Sequence, residues 1–142
     1  GKEVSLSLLK NNRLKLHQPI YGDALANLLE SMDILVMPYD ITIKSVLATT
    51  APNKFFQYLA AGKPIVISDL PHFIRLDEGM IYRAYSKESF LKKIHLAFFE
   101  DCEEYRRKRI QIAAKNSWDQ RGNSLKTLIN KQLEKNQNPE AN

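Results

Sequence analysis

Along this chain, apolar residues fall into short continuous runs that alternate with stretches where they recur every third or fourth position. A continuous apolar run fits a strand buried on both faces, whereas i, i+3, i+4 spacing fits the inner face of a helix. The first dozen residues are ambiguous: Val4, Leu6 and Leu8 alternate until Lys10-Asn11-Asn12 breaks the pattern, which suits a strand or the remnant of a helix. Leu14 and Leu16 alternate with polar residues and predict a short strand ending near His17. Gly22-Asp23 precedes Leu25, Leu28 and Leu29, which predict a helix that Asp23 can cap. Asp33-Ile34-Leu35-Val36-Met37 then stops at Pro38 and predicts a strand buried on both faces.

Tyr39 to Ala51 carries no clear period and reads as a long loop. Pro52 to Ala61 predicts a helix, with Pro near its first turn and Gly62 just past its end. Pro64-Ile65-Val66-Ile67 is a second buried strand, Asp69 to Asp77 a loop, and Met80-Ile81-Tyr82 a third strand. Ser86 with Ser89 opens a helix whose inner face is Phe90, Leu91, Ile94, Ala97 and Phe98; helices over Glu103 to Lys115 and Ser117 to Leu133 follow. Residues 1–135 thus form one domain, and the polar stretch Asn136 to Asn142, with Pro139, is expected to be a disordered tail. The order β-α-β-loop-α-β-loop-β-α-α-α predicts an α/β fold: a truncated Rossmann-like parallel sheet with flanking helices and a helical C-terminus. In such sheets ligands sit beyond the carboxyl ends of the strands, here the loops after Met37 and Ile67.

The chemistry concentrates in Thr49-Thr50-Ala51-Pro52-Asn53-Lys54-Phe55-Phe56-Gln57-Tyr58-Leu59-Ala60-Ala61-Gly62-Lys63-Pro64-Ile65-Val66. A helix that begins near Pro52 leaves its first backbone N–H groups without intrahelical partners, and its macrodipole makes that end electropositive. A diphosphate is stabilised at such a tip. Thr49, Thr50 and Asn53 can add hydroxyl or amide hydrogen bonds, Lys54 a point charge, and Gln57, one turn on, can reach ribose hydroxyls. The same residues also have plain structural readings. Thr and Asn are ordinary capping residues, a lone Lys is commonly a solvated charge, and Phe55, Tyr58 and Leu59 have core spacing while Phe56 can face either way.

Composition trims the alternatives. With 142 residues, 44% hydrophobic and 26% charged, the chain suits one soluble globular domain. No apolar run approaches the roughly 20 residues of a membrane span, and the start Gly1-Lys2-Glu3-Val4 has no signal-peptide pattern. One cysteine, Cys102, excludes an internal disulfide and fits a reducing, cytoplasmic setting. His17, His72 and His95 share no ligand spacing, so no metal is expected; His72, just after the second strand, is a weak cleft candidate. The net charge of +5 favours anionic partners, and the run Arg106-Arg107-Lys108-Arg109 raises a peripheral contact with the anionic inner face of a membrane. The neighbouring Glu100, Asp101, Glu103 and Glu104 weaken that contact. No nucleic-acid-binding pattern is present.

The stretch Pro52-x-Lys54-x-x-Gln57-Tyr58-Leu59-Ala60-Ala61-Gly62-Lys63-Pro64-x-Val66 resembles the carboxy-terminal domain of GT-B-fold glycosyltransferases of the group 1 type. That family commonly shows Pro-x-Lys-x-x-Glu-Tyr-Leu-Ala-Ala-Gly-Lys-Pro-Val-Val here. Asp33 to Pro38 is similar to the family's short Asp-Val-x-Val-Leu-Pro strand, Leu14 to Gly22 to the strand and turn before it, and Asn116-Ser117-Trp118-Asp119-x-Arg121 to its Ser-Trp-x-x-Arg segment. The likeness spans residues 13 to 133. It implies a site for a nucleotide-diphosphate sugar, whose sugar passes to an acceptor glycan or lipid-linked glycan, as in polysaccharide biosynthesis. It also implies metal-free stabilisation of the leaving diphosphate by a helix dipole and basic residues, with no cofactor.

By position, the resemblance makes Thr49, Thr50, Ala51, Asn53, Lys54 and Gln57 donor-binding residues and assigns no catalytic residue to the chain. Two departures stand out. Gln57 occupies the place of the ribose-binding Glu, and Thr49 the place of an acidic residue eight positions earlier. The resemblance further implies that two opening βα units and an N-terminal acceptor domain belong to the whole enzyme, and that this part has no transferase activity alone. A non-catalytic phosphate- or nucleotide-binding module is the alternative reading. Of the remaining side chains, Trp118 reads as an anchor of helix packing in preference to a surface that stacks on a base, Arg121 as a brace or a surface ion pair, and Cys102 as chemically idle.

Overall fold

The computed structural model describes residues 13–49, 52–76 and 79–137. The alternation at Val4, Leu6 and Leu8 therefore lies outside the described residues, as do Thr50 and Ala51. The elements run α1 (Gly22–Glu30), β1 (Leu35–Met37), α2 (Lys44–Leu47), α3 (Asn53–Ala60), β2 (Ile65–Ser68), β3 (Ile81–Ala84), α4 (Lys87–Glu100), α5 (Glu103–Lys115) and α6 (Trp118–Gln137). The three strands form one parallel sheet in the order β1-β2-β3. This is the α/β architecture expected, and it is consistent with a Rossmann-like fold.

The pleat assigns the two faces. Leu35, Ile65 and Ile81 stand in register, as do Val36, Val66 and Tyr82 one residue on. Met37, Ile65, Ile67 and Ile81 point to one side and pack with Phe55 and Leu59 of α3 and with Leu70 and Phe73 of the β2–β3 loop. Phe55 and Phe73 meet edge to face at 4.8 Å between ring centroids, a geometry favoured by the ring quadrupoles. On the other side Val66 and Tyr82 pack with Ala97, Phe90 and Ile94 of α4. Every residue of β2 is buried, as its continuous apolar run requires.

Several expectations are corrected. Leu14 to His17 is not a strand and both leucines are exposed, because no strand pairs with it among the described residues. Strand β1 begins only at Leu35, and Val36 is 41% exposed: β1 is an edge strand among the described residues, and α4 packs chiefly over β2 and β3. The third strand starts one residue later than expected and continues to Ala84. The loop from Tyr39 holds a short helix, α2, whose Val46 and Leu47 lean on the core. Asp23 lies in the first turn of α1, while Tyr21 is the N-cap and contributes no side-chain hydrogen bond.

On α4, Leu91 and Phe98 are more than half exposed, and Leu96 takes the packing role instead. Helix α4 itself starts as predicted: the Ser86 hydroxyl accepts from the Ser89 N–H at 3.1 Å, and the Ser89 hydroxyl accepts from the Ser86 N–H at 2.9 Å. Helix α6 runs to Gln137, so the first two residues of the expected tail are helical. Among the described residues no helix is long and apolar enough to cross a membrane.

Candidate functional site

Helix α3 is built so that its two sides do different work. Phe55 and Leu59, four apart, are fully buried, while Asn53, Lys54 and Gln57 are exposed. Pro52 is the N-cap, with its fixed φ of −69° leading the chain in; it supplies no side-chain cap. The first turn is closed by the Phe55 N–H donating to the Pro52 carbonyl at 2.9 Å. Behind the helix, Gly62 at φ +71° turns the chain sharply into β2, a left-handed conformation that favours glycine.

The amino end of α3 lies beside the carboxyl end of β1. The Tyr39 N–H donates to the Met37 carbonyl at 3.1 Å, which folds the chain back just past the strand. The Lys54 ammonium sits 5.0 Å from the centre of the Tyr39 ring, a cation–π distance. Ser68, the last residue of β2, donates its hydroxyl to the Tyr39 carbonyl at 2.8 Å. The helix tip, β1 and β2 are thus joined through Tyr39. Burial, with Tyr58 adding to it, holds the Tyr39 phenol above its ordinary pKa.

Three cavities surround this arrangement. One of about 430 Å³ lies past the carboxyl ends of all three strands, lined among others by Tyr39, Asp40, Ser68, Tyr85, Lys87 and Phe90. Asp40 is held ionised there: hydrogen bonds from the Thr42 hydroxyl (2.6 Å) and the Thr42 N–H (2.9 Å) lower its pKa. A second cavity of about 300 Å³ separates α1 from α3 and is lined by Leu25, Leu29, Gln57 and Ala60. A third of about 520 Å³ runs between α3, α5 and the start of α6, where Asn53, Phe56 and Gln57 face Asn116, Trp118 and Arg121.

Of the six residues selected from sequence, the structure brings Asn53 and Gln57 into one cavity, and turns Lys54 toward Tyr39 at the strand terminus. Thr49 is half-buried after α2, its N–H donating to the Val46 carbonyl at 3.0 Å. Trp118 does not anchor packing; it is 75% exposed. The Arg121 guanidinium lies 4.6 Å from the Phe56 ring centre and 5.9 Å from that of Trp118. Among the described residues no carboxylate pairs with Arg121, and no cluster of three potential metal ligands occurs.

The basic run on α5 divides between surface ion pairs and one buried residue. Arg106 and Arg107 pair with Glu103, Lys108 pairs with Glu104, and Arg109 is fully buried. Cys102 is exposed and precedes the first turn of α5. The sequence reading missed Tyr85 at the carboxyl-end cavity, although it follows the last residue of β3, and took Phe90 only as inner face of α4. It also missed the approach of Arg121 to Phe56, which no local spacing encodes. No protein family, no characterised protein and no solved structure matches this chain.

Proposed function

We propose that this chain is the donor-binding part of a glycosyltransferase that moves a sugar from a nucleotide-diphosphate sugar to an acceptor glycan or lipid-linked glycan. One observation carries the reading: the exposed amino end of α3 stands beside the carboxyl end of β1 in a parallel sheet. That is where an α/β sheet offers a ligand site and where a helix tip offers its unpaired N–H groups to an anion. The group 1 resemblance of residues 52 to 66 falls on this same tip.

In the reaction, an acceptor hydroxyl oxygen bonds to the anomeric carbon and gives its proton to a base, the bond from that carbon to the diphosphate oxygen breaks, and negative charge grows on the departing diphosphate. The α3 dipole and the Lys54 ammonium would stabilise that charge without a metal. Gln57 would hold ribose hydroxyls as an amide, donating and accepting but lacking the charge-assisted bonds of a carboxylate. No residue of this chain is assigned to the acceptor or to the group that takes its proton.

Isothermal titration of the chain with UDP, GDP and dTDP tests the reading. Saturable heat with at least one of them supports it; no heat with any of them rejects it. The neutral residues Thr49 and Gln57 favour a second reading, a nucleotide-binding module without catalysis. Turnover by a longer chain carrying this domain separates the two: hydrolysis or transfer of an activated sugar supports the enzyme, and binding without turnover supports the module.

A further inference from the structure

We infer that the cleft between α3 and the start of α6 is the seat of a nucleoside diphosphate, with its phosphates on Arg121 and its base on the indole of Trp118. This rests on the reading of the chain as a nucleotide-sugar binder and assigns two further ligand residues to it. The cleft of about 520 Å³ is within the size range of small-molecule sites. It gathers the Asn53 and Gln57 amides, at the first two turns of α3, with Arg121 and Trp118.

Charge decides between this cleft and the carboxyl-end cavity. The latter carries the ionised Asp40, which offsets the ammonium of Lys87, so the phosphates are drawn to the side of the α3 tip that bears Asn53 and Arg121. The α3–α6 cleft is lined by one guanidinium and by no acidic side chain. That guanidinium is already oriented, stacked on Phe56 at 4.6 Å and close to Trp118 at 5.9 Å. Stacking reduces the freedom that a long cationic side chain loses when it binds, and the planar fork of arginine matches two phosphate oxygens. Trp118 leaves most of its indole in water, and an aromatic face so placed suits a nucleobase.

Trp118 is the one tryptophan of the chain, so its emission reports this cleft alone. The experiment titrates UDP, GDP, dTDP and inorganic pyrophosphate into the wild type and into Arg121→Ala, Arg121→Lys and Trp118→Ala. Heat is followed throughout, and emission is followed wherever Trp118 is present. Both side chains are exposed, and far-UV circular dichroism checks that each variant keeps its fold.

Nucleotides are expected to change the Trp118 emission of the wild type with the same midpoint as the heat. Arg121→Ala should weaken every nucleotide and pyrophosphate by about ten- to hundredfold, with Arg121→Lys recovering only part of the loss. Trp118→Ala should weaken the nucleotides by about tenfold and leave pyrophosphate unchanged. Normal nucleotide affinity in Arg121→Ala, with no emission change in the wild type, overturns this assignment and leaves the nucleotide-binding reading standing. Equal loss of pyrophosphate and nucleotide in Trp118→Ala overturns the base platform. No response to any nucleotide overturns both the assignment and the reading beneath it.

Discussion

Arg109 crosses from α5 to donate from its Nε to the carbonyl oxygen of Gly62, 3.0 Å away. The same guanidinium donates to the Gly79 carbonyl at 2.7 Å and to the Asp101 carboxylate. It therefore ties the turn after α3, the turn before β3 and the entry to α5 together at a fully buried point. An arginine can be buried only when its charge and its donors are matched, and here both are.

Replacing Arg109 by alanine should remove that knot. It strands two backbone carbonyls and deprives the partly exposed Asp101 of its partner, and leaving a buried polar group unpaired costs about 1–3 kcal/mol. Urea denaturation should show the loss as a lower midpoint with little change in slope. Arg109→Lys should recover part of it, since an ammonium keeps the charge but loses the fork. A loss below about 1 kcal/mol for the alanine variant would show that the contact carries little weight.

Gly62 and Gly79 are constrained by the same helix. A Cβ on Gly62 would come within 2.8 Å of the Arg106 Cγ, and one on Gly79 within 2.5 Å of the Tyr105 ring, while both residues have positive φ. Gly79→Ala is the stricter test, because the ring cannot bend away as a flexible chain can. It should cost at least about 1–2 kcal/mol from backbone strain alone, read as a drop in thermal midpoint. Gly22→Ala, at φ +59° with nothing within 4 Å, should cost only the backbone part.

These contacts mark where the sequence was legible. The strands β2 and β3, the Ser86–Ser89 box and the split of α3 between Phe55 and Gln57 all follow from local pattern, because each depends on neighbours a few residues apart. Val36, Leu91 and Phe98 were misplaced for the opposite reason: their burial depends on how far a distant element reaches, and apolarity alone does not say which face it covers. Arg109 read as part of a basic run open to an anionic surface because its partners are 47 and 30 residues away. At the site, Asn53, Lys54 and Gln57 were legible as one helix tip. Their sorting between Tyr39 on one side and Arg121 on the other was not, since it depends on the packing of α3 against its neighbours.

Tyr82 gives the fold a pH signature. Burial, with Glu100 and Asp101 next, pushes its phenol up to about 12 from its ordinary 10. The hydroxyl donates to Glu100 at 3.4 Å. The unfolded chain releases this proton near pH 10, whereas the folded chain keeps it until about 12. Above pH 10 the unfolded state binds fewer protons and gains on the native state. The stabilisation is complete below pH 10 and fades as pH rises toward 12. The thermal midpoint of the wild type should therefore fall more steeply between about pH 10 and pH 12 than that of Tyr82→Phe. Parallel profiles for the two proteins would show that the phenol does not titrate differently on folding.

Lys54 tests the helix tip itself. Its ammonium sits on the first turn of α3, over Tyr39, and is exposed. If the tip holds a diphosphate, Lys54→Ala should weaken UDP, GDP, dTDP and pyrophosphate by a common factor of about three- to tenfold, since a point charge does not read the base. The loss should shrink as salt rises from about 50 mM to 500 mM, because ions screen an exposed charge. Gln57→Ala should behave otherwise. Its amide addresses ribose hydroxyls, so nucleotides should weaken while pyrophosphate does not. A Lys54→Ala variant that binds pyrophosphate as the wild type does at low salt would place the anion away from this helix tip. That outcome would remove the electrostatic argument for leaving-group stabilisation by α3.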